Sequence, residues 1–253
     1  MINIKPLKAF TDNYIWLLES NEGVSVVDPG EAKPVLDYLN TNNKNLIDIF
    51  ITHHHYDHTA GLPELESKVM GSIYGPKESN DLIKDNVSEG DHITSQGILF
   101  DVIEVPGHTL DHLAFFNREN DILFCGDTLF AGGCGRVFEG TFEQMFESLN
   151  KLKQLPDSTK IYCGHEYTKN NLMFSIQVES DNNDLISRNN QIEDLIITQG
   201  SSLPSSIEIE KKTNPFLRCD LLSENSHLVQ KLGLNNPSDI EFFKYIREWK
   251  DSI

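Results

Sequence analysis

The chain has 253 residues, 38% hydrophobic and 24% charged, a composition that suits one large core or a large domain with a small companion. A formal net charge of -18 repels polyanions and anionic surfaces, so nucleic acid and membranes are not expected partners. No apolar run reaches the roughly 18 residues that span a bilayer, and the opening MINIKPLKAF lacks the basic and apolar regions of an export signal, so a mature, soluble, cytoplasmic monomer is expected.

From the N-terminus to about residue 165, short β-branched runs alternate with helical patterns, the signature of a layered domain of helices and sheets. The expected strands are Tyr14–Leu18, Val24–Asp28, Ile47–Thr52, Phe100–Val105, Asp121–Cys125 and Lys160–Cys163. Helical spacing covers Lys33–Leu39 and Thr141–Leu155, the second opening with Thr141 and Gln144 at capping-box spacing. Asp28-Pro29-Gly30 reads as a strand-ending turn. Past Tyr167 the strand-like runs stop, and helical patterns such as Met173–Val178 and Leu185–Ile197 take over. Gly200–Ser206 reads as a loop, Asn214-Pro215 as a break, and Ser238 with Glu241 as the capping box of a last helix that buries Phe242, Phe243 and Ile246. The four cysteines, Cys125, Cys134, Cys163 and Cys219, show no CxxC spacing and are expected to be reduced. Cys125 and Cys163 read as small buried hydrophobes.

The chemistry concentrates in Thr52–His58, which holds four imidazoles and one carboxylate. Imidazole and carboxylate are the donors that hydrolytic metal sites use. Residues two apart on an extended segment share a side, so His53 and His55 can reach one ion while His54 points elsewhere; Asp57 and His58 can reach a second. His108, Asp127 and His165 each follow the C-terminal end of an expected strand, where active sites of layered folds gather. Gly107, Gly126 and Gly164 precede them and suit tight turns. A tag or storage tract is a poor alternative, since the run is internal and such a tract has no use for distant ligands. His92 and His227 read as surface residues, and His112 as a buried residue or a support to a ligand.

THHHYDH (Thr52–His58), PGHT (Pro106–Thr109), GDTLF (Gly126–Phe130) and GHEYT (Gly164–Thr168) resemble the metallo-β-lactamase superfamily. GDTLFAGGCGR (Gly126–Arg136), CGHEYT (Cys163–Thr168), NPFLR (Asn214–Arg218) and the terminal REWKD (Arg247–Asp251) narrow the resemblance to the glyoxalase II, or hydroxyacylglutathione hydrolase, family. The resemblance implies an α+β fold, a four-layer αβ/βα sandwich over residues 1–168 with a small helical, glutathione-gripping domain over 169–253. It further implies two divalent metal ions, with zinc expected and iron or manganese as alternatives. His53, His55 and His108 would hold one, Asp57, His58 and His165 the other, and Asp127 both; Asp57 would also be catalytic. The implied reaction is hydrolysis of S-D-lactoylglutathione to glutathione and D-lactate, the second step of methylglyoxal detoxification.

Glutathione thioesters are anionic, so a chain of charge -18 needs local positive charge where the tripeptide lies. The resemblance assigns substrate contacts to Arg136, Phe138, Tyr167, Arg247 and Lys250. Arg136 stands where relatives often carry Lys, and Phe138 where the aromatic can be Tyr, so the grip on glutathione is expected to differ in detail. A solvated helix face is the ordinary alternative for Arg247 and Lys250. The competing activities are a glutathione persulfide dioxygenase with a single iron, which the complete second ligand set opposes, and a non-catalytic metal-binding module, which the complete ligand set opposes likewise.

Overall fold

The computed structural model describes residues 3–77 and 79–253. Met1, Ile2 and Glu78 lie outside the described residues. The chain forms two compact units from interleaved segments. One comprises Met1–Glu104, Asp111–Gly126 and Tyr162–His165, and the other Val105–Leu110, Asp127–Ile161 and Glu166–Ile253.

The first unit contains β1 (Asn3–Ala9), β2 (Asn13–Glu19), β3 (Val24–Val27), α1 (Ala32–Asn42), β4 (Leu46–Phe50), α2 (Tyr56–Thr59), α3 (Leu62–Leu65), β5 (Ile73–Gly75), β6 (Asp85–Asn86), β7 (His92–Ser95), β8 (Ile98–Glu104), β9 (Leu113–Asn117) and β10 (Ile122–Gly126). Strands β1 to β6 form one sheet in chain order, antiparallel from β1 to β3 and parallel from β3 to β6. Strands β7 to β10 form a second sheet, with Tyr162–Cys163 beside β10. Strands β2, β3, β9 and β10 are buried along essentially their whole length because both faces are covered, which is why their sequences do not alternate. Val26, Ile49 and Ile51 pack with Val35 and Leu39 of α1 and Leu62 of α3 on one side. On the other, the Phe50 ring meets Phe100 at 5.4 Å and Phe115 at 5.3 Å edge-on, joining the two sheets. Burying such a ring contributes roughly 1.5–3 kcal/mol, so this aromatic layer is a main source of the unit's cohesion. The Trp16 indole N–H donates to the Cys163 carbonyl at 2.9 Å, fixing the chain two residues before His165.

The second unit contains β11 (Leu129–Phe130), β12 (Gly133–Cys134), α4 (Phe142–Lys153), most of the approach through β13 (Lys160–Cys163), then α5 (Thr168–Val178), α6 (Asn183–Gln199), β14 (Ser205–Ser206), α7 (Ile207–Thr213), α8 (Cys219–Leu222), α9 (Ser226–Lys231) and α10 (Asp239–Asp251). Both expected capping boxes form, Thr141 with Gln144 on α4 and Ser238 with Glu241 on α10. Phe242, Phe243 and Ile246 are buried as the pattern required, and the Phe243 ring lies 5.8 Å from Phe216 and 5.5 Å from Phe146. Leu172 of α5 packs on Leu185 and Ile192 of α6.

All six expected strands are present within a few residues of their expected bounds. Val24–Asp28 stops at Val27 because Asp28 takes φ 52°, which breaks the extended backbone. Strand β1 was not expected, since its sequence NIKPLKA is an edge-strand sequence, with Pro6, two lysines and little apolar content. The loop expected at Gly200–Ser206 ends in the two-residue β14, which pairs with Lys160 and Ile161. All four cysteines are buried as thiols outside any disulfide. Among the described residues, no helix is long and apolar enough to cross a membrane.

Candidate metal centre

In the first unit the site is built around Asp28, at the end of β3. Its carboxylate accepts the Thr52 N–H at 2.8 Å, the Thr52 hydroxyl at 2.7 Å and Nδ1 of His58 at 3.0 Å. A carboxylate can only accept here, so His58 carries its proton on Nδ1 and presents the lone pair of Nε2. The same logic reaches His53. Thr52 has given its proton to Asp28, so at 3.0 Å it accepts from His53 Nδ1, leaving His53 Nε2 as the lone-pair nitrogen. That nitrogen faces His55 Nδ1 at 3.1 Å, a separation that two lone pairs tolerate only with a proton or cation between them. His165 donates from Nδ1 to Asp12 at 2.8 Å, which again turns its Nε2 outward.

Asp57 completes this set. Its Oδ2 lies 3.5 Å from His58 Nε2 and 3.4 Å from His165 Nε2 and accepts the Asn13 side-chain N–H at 2.8 Å. Donors about 2.0–2.1 Å from a tetrahedral ion sit about 3.3–3.4 Å apart, so these separations suit a shared cation better than they suit hydrogen bonds. The donor atoms of Asp57, His58 and His165 all lie within 4.8 Å of one another. The residues fit a divalent metal on two grounds: the spacing, and three rings whose outer nitrogens are already committed.

Gly126, just before Asp127, has φ 47°, and a Cβ there would lie 2.4 Å from the Thr52 hydroxyl and 2.8 Å from the His112 ring. Glycine is thus required by contact with the residues that support the histidines. His112 is buried, stacks on His53 at 4.5 Å and has its Nδ1 3.0 Å from the Leu113 carbonyl, the supporting place expected for it. His54 turns its Nδ1 to Asp111 at 3.0 Å, with the His55 ring edge-on at 5.1 Å. His92 and His227 are exposed, as expected.

In the second unit, His108 donates from Nδ1 to the Arg136 carbonyl at 2.8 Å, so it too presents Nε2, which lies 3.5 Å from Asp127 Oδ2. The Phe138 ring lies 5.2 Å from the His108 ring, tilted by 58°, and is 62% exposed, an unusual placement for a phenyl ring packed for stability alone. Tyr167 is half-buried, with Phe130 edge-on at 5.2 Å. Arg136 Nε lies 3.3 Å from Asp251. Arg247 is only 2% exposed; it donates to the Cys134 carbonyl at 2.8 Å and to Asp251 at 2.9 Å, so the solvated helix face does not apply to it. Lys250 donates to the Asn171 side-chain oxygen and lies 5.8 Å from the Phe174 and Phe216 ring centres. Burial, with the Arg247 charge beside it, pushes the Lys250 ammonium down to about 8. Burial also raises the Cys134 thiol.

Sequence reasoning missed the supporting residues. Asp12, Asn13 and Asn171 carry no local signal, and Asp28 read only as a turn.

The metallo-beta-lactamase superfamily matches residues 10–165, and the hydroxyacylglutathione hydrolase C-terminus matches residues 166–253. Hydroxyacylglutathione hydrolase of Pseudomonas fluorescens (strain SBW25) is 46% identical over 257 residues, covering 100% of both chains. The enzyme of the same name from Nitrosomonas eutropha is 41% identical over 256 residues, again covering 100% of both. Among solved structures, ETHE1 from Myxococcus xanthus superposes with a TM-score of 0.66 over 99% of each chain at 23% identity, a likeness of fold alone. The fold is thus the metallo-β-lactamase fold with a C-terminal helical region, and its donor groups are of the kind that hold divalent metals. By the identity that runs the whole length of its relatives, the chain belongs to the hydroxyacylglutathione hydrolase family of the metallo-β-lactamase superfamily.

Proposed function

We propose that this protein is a metal-dependent thioesterase that hydrolyses S-D-lactoylglutathione, and related 2-hydroxyacyl thioesters of glutathione, to free glutathione and D-lactate. One observation carries the reading: the 46% identity to a hydroxyacylglutathione hydrolase over 100% of both chains, since the fold by itself is shared with proteins of other names.

His53, His55 and His108 are proposed ligands of one ion, Asp57, His58 and His165 of a second, and Asp127 of both, with zinc the expected metal and iron or manganese able to replace it. Divalent ions held there supply a lowered pKa for water and polarisation of a carbonyl oxygen. Asp57, steadied by Asn13 at 2.8 Å, accepts a hydrogen bond from the attacking hydroxide and so orients its lone pair toward the thioester carbon. The leaving thiolate has a conjugate acid of pKa about 8.5, so it departs without a protein acid.

Residues 1–168 are proposed to carry the hydrolytic chemistry and 169–253 the grip on glutathione. Lys250 is the proposed partner of the glycine carboxylate, with Arg136 and Arg247 adding positive charge. The Arg247 guanidinium does so while bonded to Cys134 and Asp251. Tyr167 offers a hydroxyl to the tripeptide backbone, and Phe138 offers only its ring. The protein is proposed to act as a cytoplasmic monomer.

The purified, metal-loaded protein should consume S-D-lactoylglutathione, with loss of thioester absorbance and stoichiometric release of thiol. An inactive but fully metallated protein that instead takes up oxygen on glutathione persulfide would identify the dioxygenase activity of the superfamily and overturn the proposal.

A further inference from the structure

The segment Gly126–Arg136 holds a proposed metal ligand near one end and a proposed substrate contact at the other, yet past Gly126, the last residue of β10, its regular structure is the two-residue pair β11 and β12. A ladder that short cannot fix its own position. Side chains from elsewhere in the second unit hold the tip instead. The Asn171 amide donates to the Ala131 carbonyl at 3.0 Å, and the Ser175 hydroxyl to the Gly132 carbonyl at 2.9 Å. Asn214 Nδ2 donates to the Phe130 and Gly133 carbonyls at 3.2 Å and 2.9 Å, and Glu210 accepts the Gly132 N–H at 2.7 Å.

Glu210 and Asn214 are both fully buried, and Nδ2 also lies 3.0 Å from the Glu210 carboxylate, so its two hydrogens are shared among three acceptors. The other Glu210 oxygen accepts from Arg188 at 2.7 Å and from the Ser205 hydroxyl. A buried, ion-paired carboxylate gains little stability over well-packed apolar side chains. What this one provides is directional: it fixes one backbone N–H, and through Asn214 two carbonyls, of a loop whose own ladder is only two residues long.

The hairpin passes that register to its base. The Gly135 N–H donates to the Thr128 carbonyl at 3.2 Å, and a Cβ on Gly135 would fall 2.0 Å from the Asp127 carbonyl oxygen, so the two legs lie in direct backbone contact. Arg136, the next residue, accepts His108 Nδ1–H at 2.8 Å. A displaced tip therefore shifts the Gly135–Arg136 leg, and with it the Arg136 side chain.

We propose that the buried Glu210 and Asn214 pair is a positioning device for the Gly126–Arg136 hairpin, setting how Arg136 is presented to the glutathione moiety without touching substrate. The inference rests on the hydroxyacylglutathione hydrolase reading above. Glu210→Gln keeps the shape but sets an amide N–H against the donors of Gly132, Asn214 or Arg188.

Steady-state kinetics of the metal-loaded, full-length enzyme on S-D-lactoylglutathione test it, with metal content and calorimetric affinity for glutathione measured on the same samples. Glu210→Gln should raise KM and weaken glutathione binding about tenfold while kcat falls less than about threefold and the metal content is retained. A lower melting temperature with KM and glutathione affinity unchanged would reduce the pair to a stability element and overturn the proposal, as would a loss of kcat that follows loss of metal. If Glu210→Gln does not fold, Arg188→Lys, which keeps the carboxylate and its bond to Gly132, should raise KM about threefold, and an unchanged KM there overturns the proposal too. A wild-type protein that binds glutathione but leaves the thioester intact would sink the functional reading, and the affinities would still decide the positioning role. Absence of glutathione binding by the wild type would overturn both.

Discussion

Nδ1 of His58 donates to Oδ2 of Asp28 at 3.0 Å, between side chains that are 1% and 3% exposed. Because Asp28 also receives the Thr52 hydroxyl, and Thr52 in turn receives His53, one carboxylate selects the tautomer of two candidate ligands. Asp28→Ala should lower metal affinity about 10- to 100-fold. Asp28→Asn should lower it as well, since its amide can donate to Nδ1 and turn the lone pair of His58 away from the site. Competition with a chromophoric chelator measures both, and an affinity equal to wild type would exclude this role.

Lys250 loses its proton near pH 8, lower than an exposed lysine, because burial and then the Arg247 charge oppose the ammonium. The charged form, present below about 8, is the one that attracts a carboxylate. KM for S-D-lactoylglutathione should therefore rise as pH increases through 8, and Lys250→Arg should flatten that rise. Lys250→Ala should raise KM for glutathione esters far more than for a thioester that lacks the tripeptide carboxylate; equal effects on the two substrates would remove Lys250 from the binding site.

Arg247 bonds through both terminal nitrogens, to the Cys134 carbonyl and to Asp251, and its guanidinium lies 5.2 Å from the Phe216 ring centre. Arg247→Met should destabilise the protein by about 2–4 kcal/mol, the cost of leaving a buried carbonyl and part of a carboxylate without their charged donor. Chemical denaturation reads this out, and a loss under about 0.5 kcal/mol would place Arg247 among ordinary surface residues.

The capping boxes give a local control. Thr141→Ala and Ser238→Ala should each cost about 1 kcal/mol, because each removes the acceptor for an N–H at the start of α4 or α10. Thermal melts should show both, and a neutral result for either would mean that packing rather than capping fixes that helix start.

Chelation should abolish thioester hydrolysis and lower the melting temperature. Metal present at about 100 times its Kd stabilises the folded chain by about 2.7 kcal/mol. Zinc, manganese or iron(II) added back should each restore activity. Full activity in the metal-free protein would contradict the proposed ligand set.

The His53–His58 run, the candidate ligands at strand ends and both capping boxes were legible in the sequence because each depends on neighbours a few residues away. A strand end delivers its next side chain to one edge of a sheet, and a Ser or Thr three residues before Glu or Gln caps a helix, whatever else the chain does. The groups that orient the candidate ligands were not legible. Asp28 is 30 residues from His58, and Asp12 is 153 residues from His165, and each looks like an ordinary acidic residue at the end of a strand or in a turn. Arg247 and Lys250 share this limit: i, i+3 spacing puts them on one helix face, but it is the packing of Phe216, Phe174 and Cys134 against that face that buries Arg247 and half-buries Lys250.

By itself the sequence therefore determined the donor types, their order along the chain and the family, since those are fixed by residue identity and short-range spacing. Tertiary structure alone decided which nitrogen of each histidine faces the site, how far the Lys250 ammonium is depressed, and that a buried Glu210 anchors the Gly126–Arg136 hairpin. Proton placement, burial and register all depend on partners brought together from distant parts of the chain, where desolvation makes each contact strong enough to matter.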